Sequence, residues 1–387
     1  MIVQPDKTAS RETAVPVDGS MAVAREGALP NGRFWLGKRV FLTGHTGFKG
    51  AWLALWLKRL GAVVTGYALA PDTNPNLCTL AGLESGLRAM RGDIRHAAAL
   101  EAAMAVAAPD IVLHLAAQPL VRRSYADPVL TFETNVLGTV NLLQAIRRTP
   151  SVACAVVVTT DKCYENLERQ QPYREGDALG GHDPYSASKA CAELAVAAWR
   201  RSFFTPAQTG ARMVAVASAR AGNVIGGGDW AEDRLLPDCI RAFQAGTSVS
   251  IRNQHSTRPW QHVLDPLCGY LLLAERLWQD GAALAMAWNF GPDIADARTV
   301  GEVVDRLAAC WGEGASRVAD TTLHQHEAGL LAVDATLARS RLAWRPRLGL
   351  DEAIEWTARW YKRQWHGADA AALMAEDIAR YEGRASV

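Results

Sequence analysis

The sequence predicts an α/β fold in which a doubly wound parallel sheet carries a smaller C-terminal lobe. Apolar, β-rich runs alternate with helical patterns from residue 35 to residue 222, which is typical of parallel strands joined by crossover helices. A glycine-rich segment at residues 43–50 joins the first run directly to a helical pattern. These two observations together indicate a Rossmann-type, dinucleotide-binding domain.

Six strands are predicted in order along this region. They lie at residues 39–43, 63–67, 87–91, 111–115, 155–159 and 213–218. A helical pattern at 51–60 follows the first strand. Asp127-Pro128 and Asp183-Pro184 begin two long helices, over 129–148 and from 184 toward 200, the second of them alanine-rich, because aspartate caps a helix N-terminus and proline fits its first turn.

The domain organisation follows from where this alternation begins and ends. Residues 1–34 mix Pro, Gly, Ser and Thr without apolar periodicity, so we predict a flexible N-terminal extension. We assign residues 35–222 to the dinucleotide-binding domain, which also receives part of 256–300. Residues 223–255 and 301–387 form the substrate-binding lobe, whose helical patterns lie near 299–311, 335–342 and 351–363.

Composition and charge exclude several classes of function. The formal net charge of +1 gives no electrostatic reason to expect nucleic acid or an anionic membrane as a partner, so a small molecule is the expected ligand. No apolar run approaches the roughly 18 residues of a membrane span, and no signal peptide is evident, so we predict a cytoplasmic protein. The seven cysteines are odd in number and contain no C-x-x-C, which predicts neither a disulfide framework nor a metal site.

The glycine loop departs from the usual G-x-G-x-x-G spacing. Gly44-x-x-Gly47-x-x-Gly50 still offers a tight turn, a bare backbone for a pyrophosphate and the N–H groups of a helix N-terminus. We assign the whole loop to the cofactor, with His45 and Lys49 expected to line its phosphates; a purely structural turn is the alternative. The cofactor residues of this loop are Gly44, His45, Thr46, Gly47, Phe48, Lys49 and Gly50.

Strand ends supply the remaining cofactor candidates. In a doubly wound sheet the ligand lies outside the carboxyl ends of the strands. The candidates at such positions are Asp93, Ile94, Leu115, Ala116, Ala117, Gln118 and Thr159, together with Asn135 from the following helix. Plain loop residues are the alternative at these positions. Because Asp72 is the first acid after the second strand, this position leaves NAD and NADP undecided.

Tyr185 and Lys189 lie four residues apart at the start of a predicted helix, so they share a face and can act on one ligand. Tyrosine, with an ordinary pKa of about 10, is a poor base at neutral pH. A neighbouring ammonium and the positive ring of an oxidised nicotinamide cofactor would lower the pKa of Tyr185 toward the working range. The alternative is an exposed tyrosine with a solvated lysine.

Six segments of the chain carry a more specific resemblance. They are residues 43–50, 114–121, 160–166, 183–189, 220–230 and 258–263. These segments resemble the extended short-chain dehydrogenase/reductase family and, within it, the CDP-glucose 4,6-dehydratases. The resemblance covers residues 35–365, which is nearly everything except the N-terminal extension.

The resemblance implies an NAD-dependent, redox-neutral reaction on CDP-glucose. Hydride leaves C4 of the glucose, water is lost across C5 and C6, and the hydride returns to C6. The resulting 4-keto-6-deoxy sugar would serve deoxysugar synthesis for cell-surface polysaccharide. It also implies that Tyr185 is the base on the 4-hydroxyl, that Lys189 tunes it and holds the nicotinamide ribose, and that Thr160 hydrogen-bonds the 4-oxygen. Asp161 would protonate the departing 6-hydroxyl.

Lys162 is a departure within this resemblance. Dehydratases acting on dTDP-glucose carry glutamate at the position after the aspartate, where it is suited to removing the C5 proton. A lysine can be that base only if it is partly neutral; otherwise it stabilises the enolate as a cation. Both alternatives remain open at this point.

The nucleotide end of the substrate is assigned to the second lobe. Asn223, Arg234, Arg252 and Arg258 can donate to a diphosphate, although surface arginines are the alternative for Arg234 and Arg252. Gln118, Trp260 and His262 complete the substrate assignments, with a structural role as the alternative for His262 and core packing for Trp260.

Two alternative functions remain, and the resemblance also implies an oligomeric state. A nucleotide-sugar epimerase would need Tyr185 and Lys189 but not Asp161 as an acid. A non-catalytic NAD-sensing or scaffold protein would be expected to lack Tyr185 or Lys189. In relatives the helices corresponding to 129–148 and 184–200 build a four-helix interface, so a homodimer or a dimer of dimers is expected.

Overall fold

The computed structural model describes residues 27–204, 213–293, 296–320, 322 and 329–384. Seven parallel strands form one sheet in the order β11–β6–β5–β4–β1–β2–β3. These strands are β1 (Arg39–Thr43), β2 (Val63–Ala68), β3 (Arg88–Arg91), β4 (Ile111–His114), β5 (Cys154–Val158), β6 (Ala215–Ala221) and β11 (Ala287–Phe290). The order reverses between β1 and β4, which is the switch point of a doubly wound fold. The predicted fold class is confirmed.

The six predicted strands are present, with boundaries that differ by up to three residues. The seventh strand, β11, was not predicted. It is only four residues long and follows a long helix, so its sequence, Ala-Trp-Asn-Phe, shows no strand periodicity of its own. It extends the sheet beside β6, with Trp288 opposite Ala219.

Helices cover both faces of the sheet. The α-helices are α1 (Gly32–Trp35), α2 (Phe48–Arg59), α3 (Leu77–Leu80), α4 (Ala97–Ala107), α5 (Val121–Ala126), α6 (Pro128–Phe132), α7 (Gly138–Arg148), α8 (Pro184–Phe203), α9 (Leu235–Gln244), α10 (Leu264–Asp280), α11 (Val300–Trp311), α12 (Thr336–Arg341), α13 (Leu350–Trp365) and α14 (Ala370–Glu382). Successive strand residues enter opposite cores, since Leu42 packs with α2 and α10 while Phe41 packs with α4 and α7. Burial on both faces explains the continuous apolar character of the central strands β4 and β5.

The helix predicted over 129–148 is not continuous. Asp127 caps α6 by accepting a hydrogen bond from the Leu130 amide, as expected. A single π-helical turn, Glu133–Leu137, then separates α6 from α7. The prediction of one regular helix was therefore wrong at this turn, which carries Asn135 and is of the kind often found near functional sites.

Residues 27–34, the last part of the predicted flexible extension, are tied to the folded domain. The Ala28 amide donates to the Ala343 carbonyl, and Glu275 accepts hydrogen bonds from the Asn31 amide and the Trp35 indole. Order therefore begins before Trp35, through contacts with distant residues that local sequence does not reveal. Residues 1–26 lie outside the described residues.

The second lobe lies beyond the carboxyl end of β6 and is built from short strand pairs. The pairs join β7 (Val224–Ile225) to β10 (Gln261–His262), β8 (Val249–Ile251) to β13 (Arg317–Ala319), and β9 (Thr257–Arg258) to β12 (Arg298–Thr299). Among the described residues, no helix is both long enough and apolar enough to cross a membrane.

Candidate active site

A cleft of about 840 Å³ runs along the carboxyl edge of the sheet, between the strand ends and the second lobe. Its volume falls within the range of cofactor and substrate sites. The residues assigned from sequence that line it are Gly44, Thr46, Gly47, Phe48, Lys49, Gly50, Asp93, Ile94, Leu115, Ala116, Ala117, Gln118, Thr159, Thr160, Asp161, Lys162, Tyr185, Lys189, Asn223, Arg234, Arg252, Arg258 and Trp260. His45, Asn135 and His262 do not line it.

The glycine loop forms a tight cradle at one end of this cleft. Gly44 has a φ of +76°, and a Cβ there would lie 2.7 Å from the Ala116 amide nitrogen. A Cβ on Gly50 would lie 2.0 Å from the Gly44 carbonyl oxygen. Both positions therefore require glycine, and the N-terminus of α2 opens behind the turn as an anion site.

His45 does not line the phosphate site, so this part of the prediction was wrong. Its ring is fully buried beneath β2, with Nε2 3.2 Å from a Glu84 carboxylate oxygen. A Cβ on Gly66 would lie 2.6 Å from the ring, so Gly66 provides the space that the histidine occupies. Burial lowers the pKa of His45, with Glu84 opposing the shift.

Lys49 lines the cleft, but its side chain points toward the end that holds Tyr185 and Lys189, called the reaction end below, and not over the glycine turn. Its ammonium donates to the Tyr270 hydroxyl at 3.0 Å and lies 5.1 Å from the centre of that ring. Burial, together with the positive charges of Lys189 and Arg234, lowers the pKa of Lys49 to about 7, and the negative charge of Asp161 opposes the shift. Tyr270, from α10, is a site neighbour that sequence analysis missed.

Thr160 and Asp161 follow β5 directly, at the switch-point side of the cleft. The Thr160 hydroxyl donates to Asp161 Oδ1 at 3.0 Å and accepts a hydrogen bond from the Lys162 amide. Asp161 is buried, and its Oδ2 has no hydrogen-bond partner within the described residues. An added Cβ at Gly222 would lie 2.3 Å from that oxygen, so Gly222 allows the carboxyl group to stand at the cleft wall.

Tyr185 and Lys189 lie in the first two turns of α8, which Asp183 caps through the Ser186 amide. Tyr185 hydrogen-bonds Thr160, while the Lys189 ammonium donates to the Val158 carbonyl at 3.4 Å. The structure thus brings Thr160, which follows β5, next to Tyr185 of α8, 25 residues later in the sequence.

The charge state of this pair depends on burial. Burial raises the pKa of Tyr185 to about 12, although the hydrogen bond with Thr160 opposes this. The lowering of the Tyr185 pKa by Lys189 together with an oxidised nicotinamide stays a prediction; in the protein alone, desolvation dominates. Burial also lowers the pKa of Lys189 to about 8, and the negative charge of Glu193 opposes that shift.

Glu193 is a second residue that sequence analysis missed. Its carboxylate accepts hydrogen bonds from Thr159 at 2.5 Å, Ser218 at 2.7 Å and the Arg220 guanidinium at 2.8 Å. It lies four residues after Lys189, so Tyr185, Lys189 and Glu193 occupy one face of α8. That spacing was the available sequence signal. The buried Glu193–Arg220 pair holds the end of β5 against α8.

Asn135 and Gln118 support the cleft wall from behind. Asn135 Oδ1 accepts from the Gln118 amide, and its side-chain nitrogen donates to the Gln118 carbonyl and the Ser188 hydroxyl. Asn135 therefore supports the loop after β4 and does not itself line the cleft, so its assignment as a cofactor contact stays a prediction. The Gln118 side chain bonds Leu120 and Thr131.

Arginines line the other end of the cleft, as predicted, but each has an intramolecular partner. Arg234 donates to Asp229 at 2.7 Å. Arg252 and Arg122, which come from opposite sides of the cleft, both approach Asp233 Oδ1, at 3.4 and 2.6 Å. Arg122 and Asp233 were not identified from sequence, because their contact spans 111 residues.

The other second-lobe assignments divide between the cleft and the core. Arg258 is buried and donates to the carbonyls of Thr257 and Gly329. The Trp260 indole donates to the Arg298 carbonyl at 3.3 Å. His262 is packed in the core between Trp52 and Trp356, and burial lowers its pKa to about 3. Its substrate assignment was wrong, and the structural alternative holds.

The cleft suits a dinucleotide beside a sugar nucleotide. The glycine cradle admits a pyrophosphate only because no Cβ fills it. Ala116, Ala117, Lys189, Arg234 and Arg252 line the same cleft. The arginines give it positively charged groups that suit a second diphosphate. Among the described residues, no group of three or more His, Cys, Asp or Glu is placed to hold a metal ion.

The family model for GDP-mannose 4,6 dehydratase matches residues 41–357. The chain is 49% identical to a CDP-glucose 4,6-dehydratase of Salmonella typhimurium, over 90% of this chain and 97% of that protein. It is 31% identical to a dTDP-glucose 4,6-dehydratase of Streptomyces griseus, over 84% and 95% of the two chains.

Among solved structures, the fold matches the dTDP-glucose 4,6-dehydratase DesIV of Streptomyces venezuelae, crystallised with NAD, at a TM-score of 0.70 and 26% identity, over 84% of this chain and 98% of that one. The chain therefore belongs to the GDP-mannose 4,6 dehydratase family and is a homologue of CDP-glucose 4,6-dehydratase.

Proposed function

We propose that this protein converts CDP-glucose to CDP-4-keto-6-deoxyglucose and water, with NAD as cofactor. The observation that carries the proposal is the cluster of Thr160, Asp161, Tyr185 and Lys189 at the carboxyl end of β5, inside a cleft that also holds a glycine cradle. The 49% identity to a CDP-glucose 4,6-dehydratase supports the choice of nucleotide. NAD, when bound, supplies a hydride acceptor that each turnover regenerates.

The first task of the chain's own residues is to remove the proton from the 4-hydroxyl. Tyr185 accepts this proton, and Thr160, which hydrogen-bonds Tyr185, holds the 4-oxygen in place. Because burial raises the pKa of Tyr185 to about 12, the phenolate needs positive charge nearby to form. Lys189, on the same helical face, supplies a cation and orients the cofactor ribose, and Arg234 also lowers the Tyr185 pKa.

The second task is the loss of water across C5 and C6. A 4-ketone makes the C5 proton acidic, so the same site can eliminate the 6-hydroxyl. Asp161 is buried beside Thr160 with Oδ2 unpaired within the described residues, and in its protonated form it delivers a proton to the leaving hydroxyl. Lys162 lines the cleft next to it and acts either as the C5 base or as a cation beside the enolate.

The domain division, assembly and compartment belong to the same proposal. Residues 35–222, with part of 256–300, form the NAD-binding domain, and 223–255 with 301–387 form the sugar-nucleotide lobe. Exposed apolar side chains on α6–α8, including Val129 at 67%, Leu137 at 55% and Leu194 at 58% exposure, support a homodimer or a dimer of dimers. The seven cysteines are all unpaired, which is in keeping with a cytoplasmic enzyme of deoxysugar synthesis.

The test is incubation of the purified protein and NAD with CDP-glucose, and in parallel with dTDP-, UDP- and GDP-glucose. We expect a 4-keto-6-deoxy sugar from CDP-glucose without accumulation of NADH. A C4-epimerised sugar nucleotide with no loss of water would instead establish an epimerase. NADH formed in proportion to product would contradict the closed hydride cycle.

A further inference from the structure

The nucleotide end of the cleft contains a carboxylate, Asp238, that the reaction does not use. Asp238 lies in the first turn of α9, and its amide donates to the Arg234 carbonyl at 3.0 Å. Residues four apart on a helix share a face, so Asp238 and Arg234 both line the cleft. One helical turn, about 5.4 Å, separates them along the axis.

Charges along the cleft give the order of its sections. Arg234 influences the pKa values of both Tyr185 and Lys49 at the reaction end. Asp238 instead has Arg241, Asp233 and Arg252 as its charged neighbours. Along its helix, Asp238 lies one turn beyond Arg234, where Arg241 bonds it and β8 borders the cleft, and we take this turn to be farther from the reacting sugar. In a sugar nucleotide, the diphosphate follows the sugar and the nucleoside follows the diphosphate, so Asp238 stands at the nucleoside.

The wall around Asp238 suits a flat, partly apolar ring. Leu235, Leu236 and Pro237 precede it and line the same cleft, and Val249 and Ile251 of β8 complete that section. A planar base can bury its faces on such a wall while its polar edge meets whichever polar group is fixed there.

The Asp238 carboxylate is fixed in place by Arg241. The Arg241 guanidinium bonds Asp238 Oδ1 and also donates to the Trp230 carbonyl at 3.0 Å and the Ala231 carbonyl at 3.4 Å. This arrangement uses one oxygen and leaves Oδ2 for a ligand. Burial raises the pKa of Asp238, and Arg241 opposes the shift, so a ligand that donates a hydrogen bond would compensate part of the desolvation.

We propose that Asp238 selects the base of the substrate by accepting a hydrogen bond from the exocyclic amino group of cytosine. A carboxylate accepts from the cytosine amino group, whereas thymine presents a carbonyl oxygen at the same ring position, and uracil shares that carbonyl. Two acceptors facing each other repel and leave Asp238 Oδ2 without a donor, which costs binding free energy. This inference rests on the proposed function for its choice of nucleotide sugar.

The experiment measures binding of CDP and UDP to the NAD-loaded protein by calorimetry, in wild type, Asp238→Asn and Asp320→Asn. Asparagine can donate to the uracil carbonyl, so Asp238→Asn should weaken CDP binding by about 5- to 100-fold and reduce or reverse the preference for CDP over UDP. Asp320 is the matched control, because it is another carboxylate that lines the same cleft and it lies outside α9. Asp320→Asn should keep the wild-type preference.

An analogue of CDP whose pyrimidinone base lacks the 4-amino group gives the same test without any substitution. It should bind wild type about 5- to 100-fold more weakly than CDP does. Equal binding of the analogue and CDP would overturn the inference even if Asp238→Asn failed to fold. An unchanged ratio of CDP affinity to UDP affinity in Asp238→Asn would also overturn it. If both affinities fell equally, Asp238 would lie at the ribose.

Activity assays separate this inference from the proposed function. Wild type that binds CDP selectively through Asp238 but does not dehydrate CDP-glucose would contradict the function and leave base selection standing. Wild type that dehydrates CDP-glucose and dTDP-glucose with equal kcat/KM would support the chemistry and contradict base selection.

Discussion

The two ends of the cleft are held by different kinds of interaction. At the reaction end, Glu193 and Arg220 are 2% and 3% exposed and tie Thr159, at the end of β5, to α8. At the nucleotide end, Arg122 and Asp233 are 50% and 38% exposed and meet across the mouth of the cleft. Buried, multiply bonded groups fix geometry, whereas exposed ion pairs add little free energy and rearrange readily.

This difference distinguishes residues whose geometry must be precise from residues whose hydrogen-bond partners can change. Proton transfer requires donor and acceptor within hydrogen-bond reach, so the residues of the chemistry depend on a rigid core. Recognition of a nucleotide, by contrast, can use arginine side chains that leave an internal carboxylate and bind a substrate phosphate instead. The relatives act on CDP- or dTDP-glucose by name, so the nucleotide differs among enzymes named for the same 4,6-dehydration.

The largest effect should come from Tyr185→Phe, which removes the proton acceptor and leaves the ring in place. We expect a loss of about 10²–10⁴ in kcat, the usual contribution of one positioned proton-transfer group. NAD binding, measured by fluorescence titration, should change little. The control is Asp161→Asn, which should still oxidise C4 but eliminate water slowly. Solvent-deuterium exchange at C5 that persisted at the parental rate in Tyr185→Phe would show that the order of steps is wrong.

Glu193→Gln should have the next largest effect, on stability. It leaves the Arg220 guanidinium buried without a countercharge, which costs about 3–5 kcal/mol of unfolding free energy. Urea denaturation measures this loss, and Ser218→Ala, which deletes only one hydrogen bond to Glu193, should cost about 1 kcal/mol. Equal losses in the two variants would mean that the ion pair contributes nothing beyond its hydrogen bonds.

The reaction end was largely predictable from sequence, because its residues sit at positions that topology determines. Strand ends and the first turns of the following helices meet at one edge of a parallel sheet. Thr160, Asp161, Tyr185 and Lys189 could therefore be grouped from the amino-acid sequence alone. Glu193 carried the same helical spacing and was overlooked only because no partner for it was evident in the sequence.

The direction of individual side chains was not predictable. His45 lies within the glycine loop, yet its ring occupies space left by Gly66, which is 21 residues away in a different strand. At the nucleotide end, Asp238 reaches the cleft through packing of the second lobe, and Arg122 of α5 meets Asp233 over a separation of 111 residues. Long-range packing, rather than local propensity, decides these positions.

Substitution of Lys162 by methionine and by glutamate should distinguish between its two alternative roles at the reaction end. If Lys162 is the C5 base, Lys162→Met should lose about 10²-fold in kcat and Lys162→Glu should recover part of it. If it stabilises the enolate as a cation, glutamate should be worse than methionine, because it places negative charge where negative charge develops. Rapid-quench analysis of C5 exchange measures both. Unchanged rates in the two variants would exclude both roles.

The pH dependence of kcat should report Lys189. Burial lowers the pKa of Lys189 to about 8, so the ammonium is present below that pH and is lost as the pH rises through it. If the cation is required, kcat should fall about tenfold per pH unit above pH 8. Lys189→Arg, which keeps its charge, should be less active but should lack this decline. A decline of the same midpoint in Lys189→Arg would assign it to another group.

The smallest effect should come from the exposed bridge at the mouth of the nucleotide end. Arg122→Gln removes the 2.6 Å contact with Asp233, and an exposed ion pair of this kind contributes about 0–1 kcal/mol. We therefore expect KM for CDP-glucose to change by no more than about 5-fold, with kcat unchanged. The matched variant Asp233→Asn releases both Arg122 and Arg252 to the substrate diphosphate, so its KM should fall if the carboxylate competes with phosphate. A large fall in kcat in either variant would show that the nucleotide end also controls the geometry of the chemistry, and the contrast between the two ends would fail.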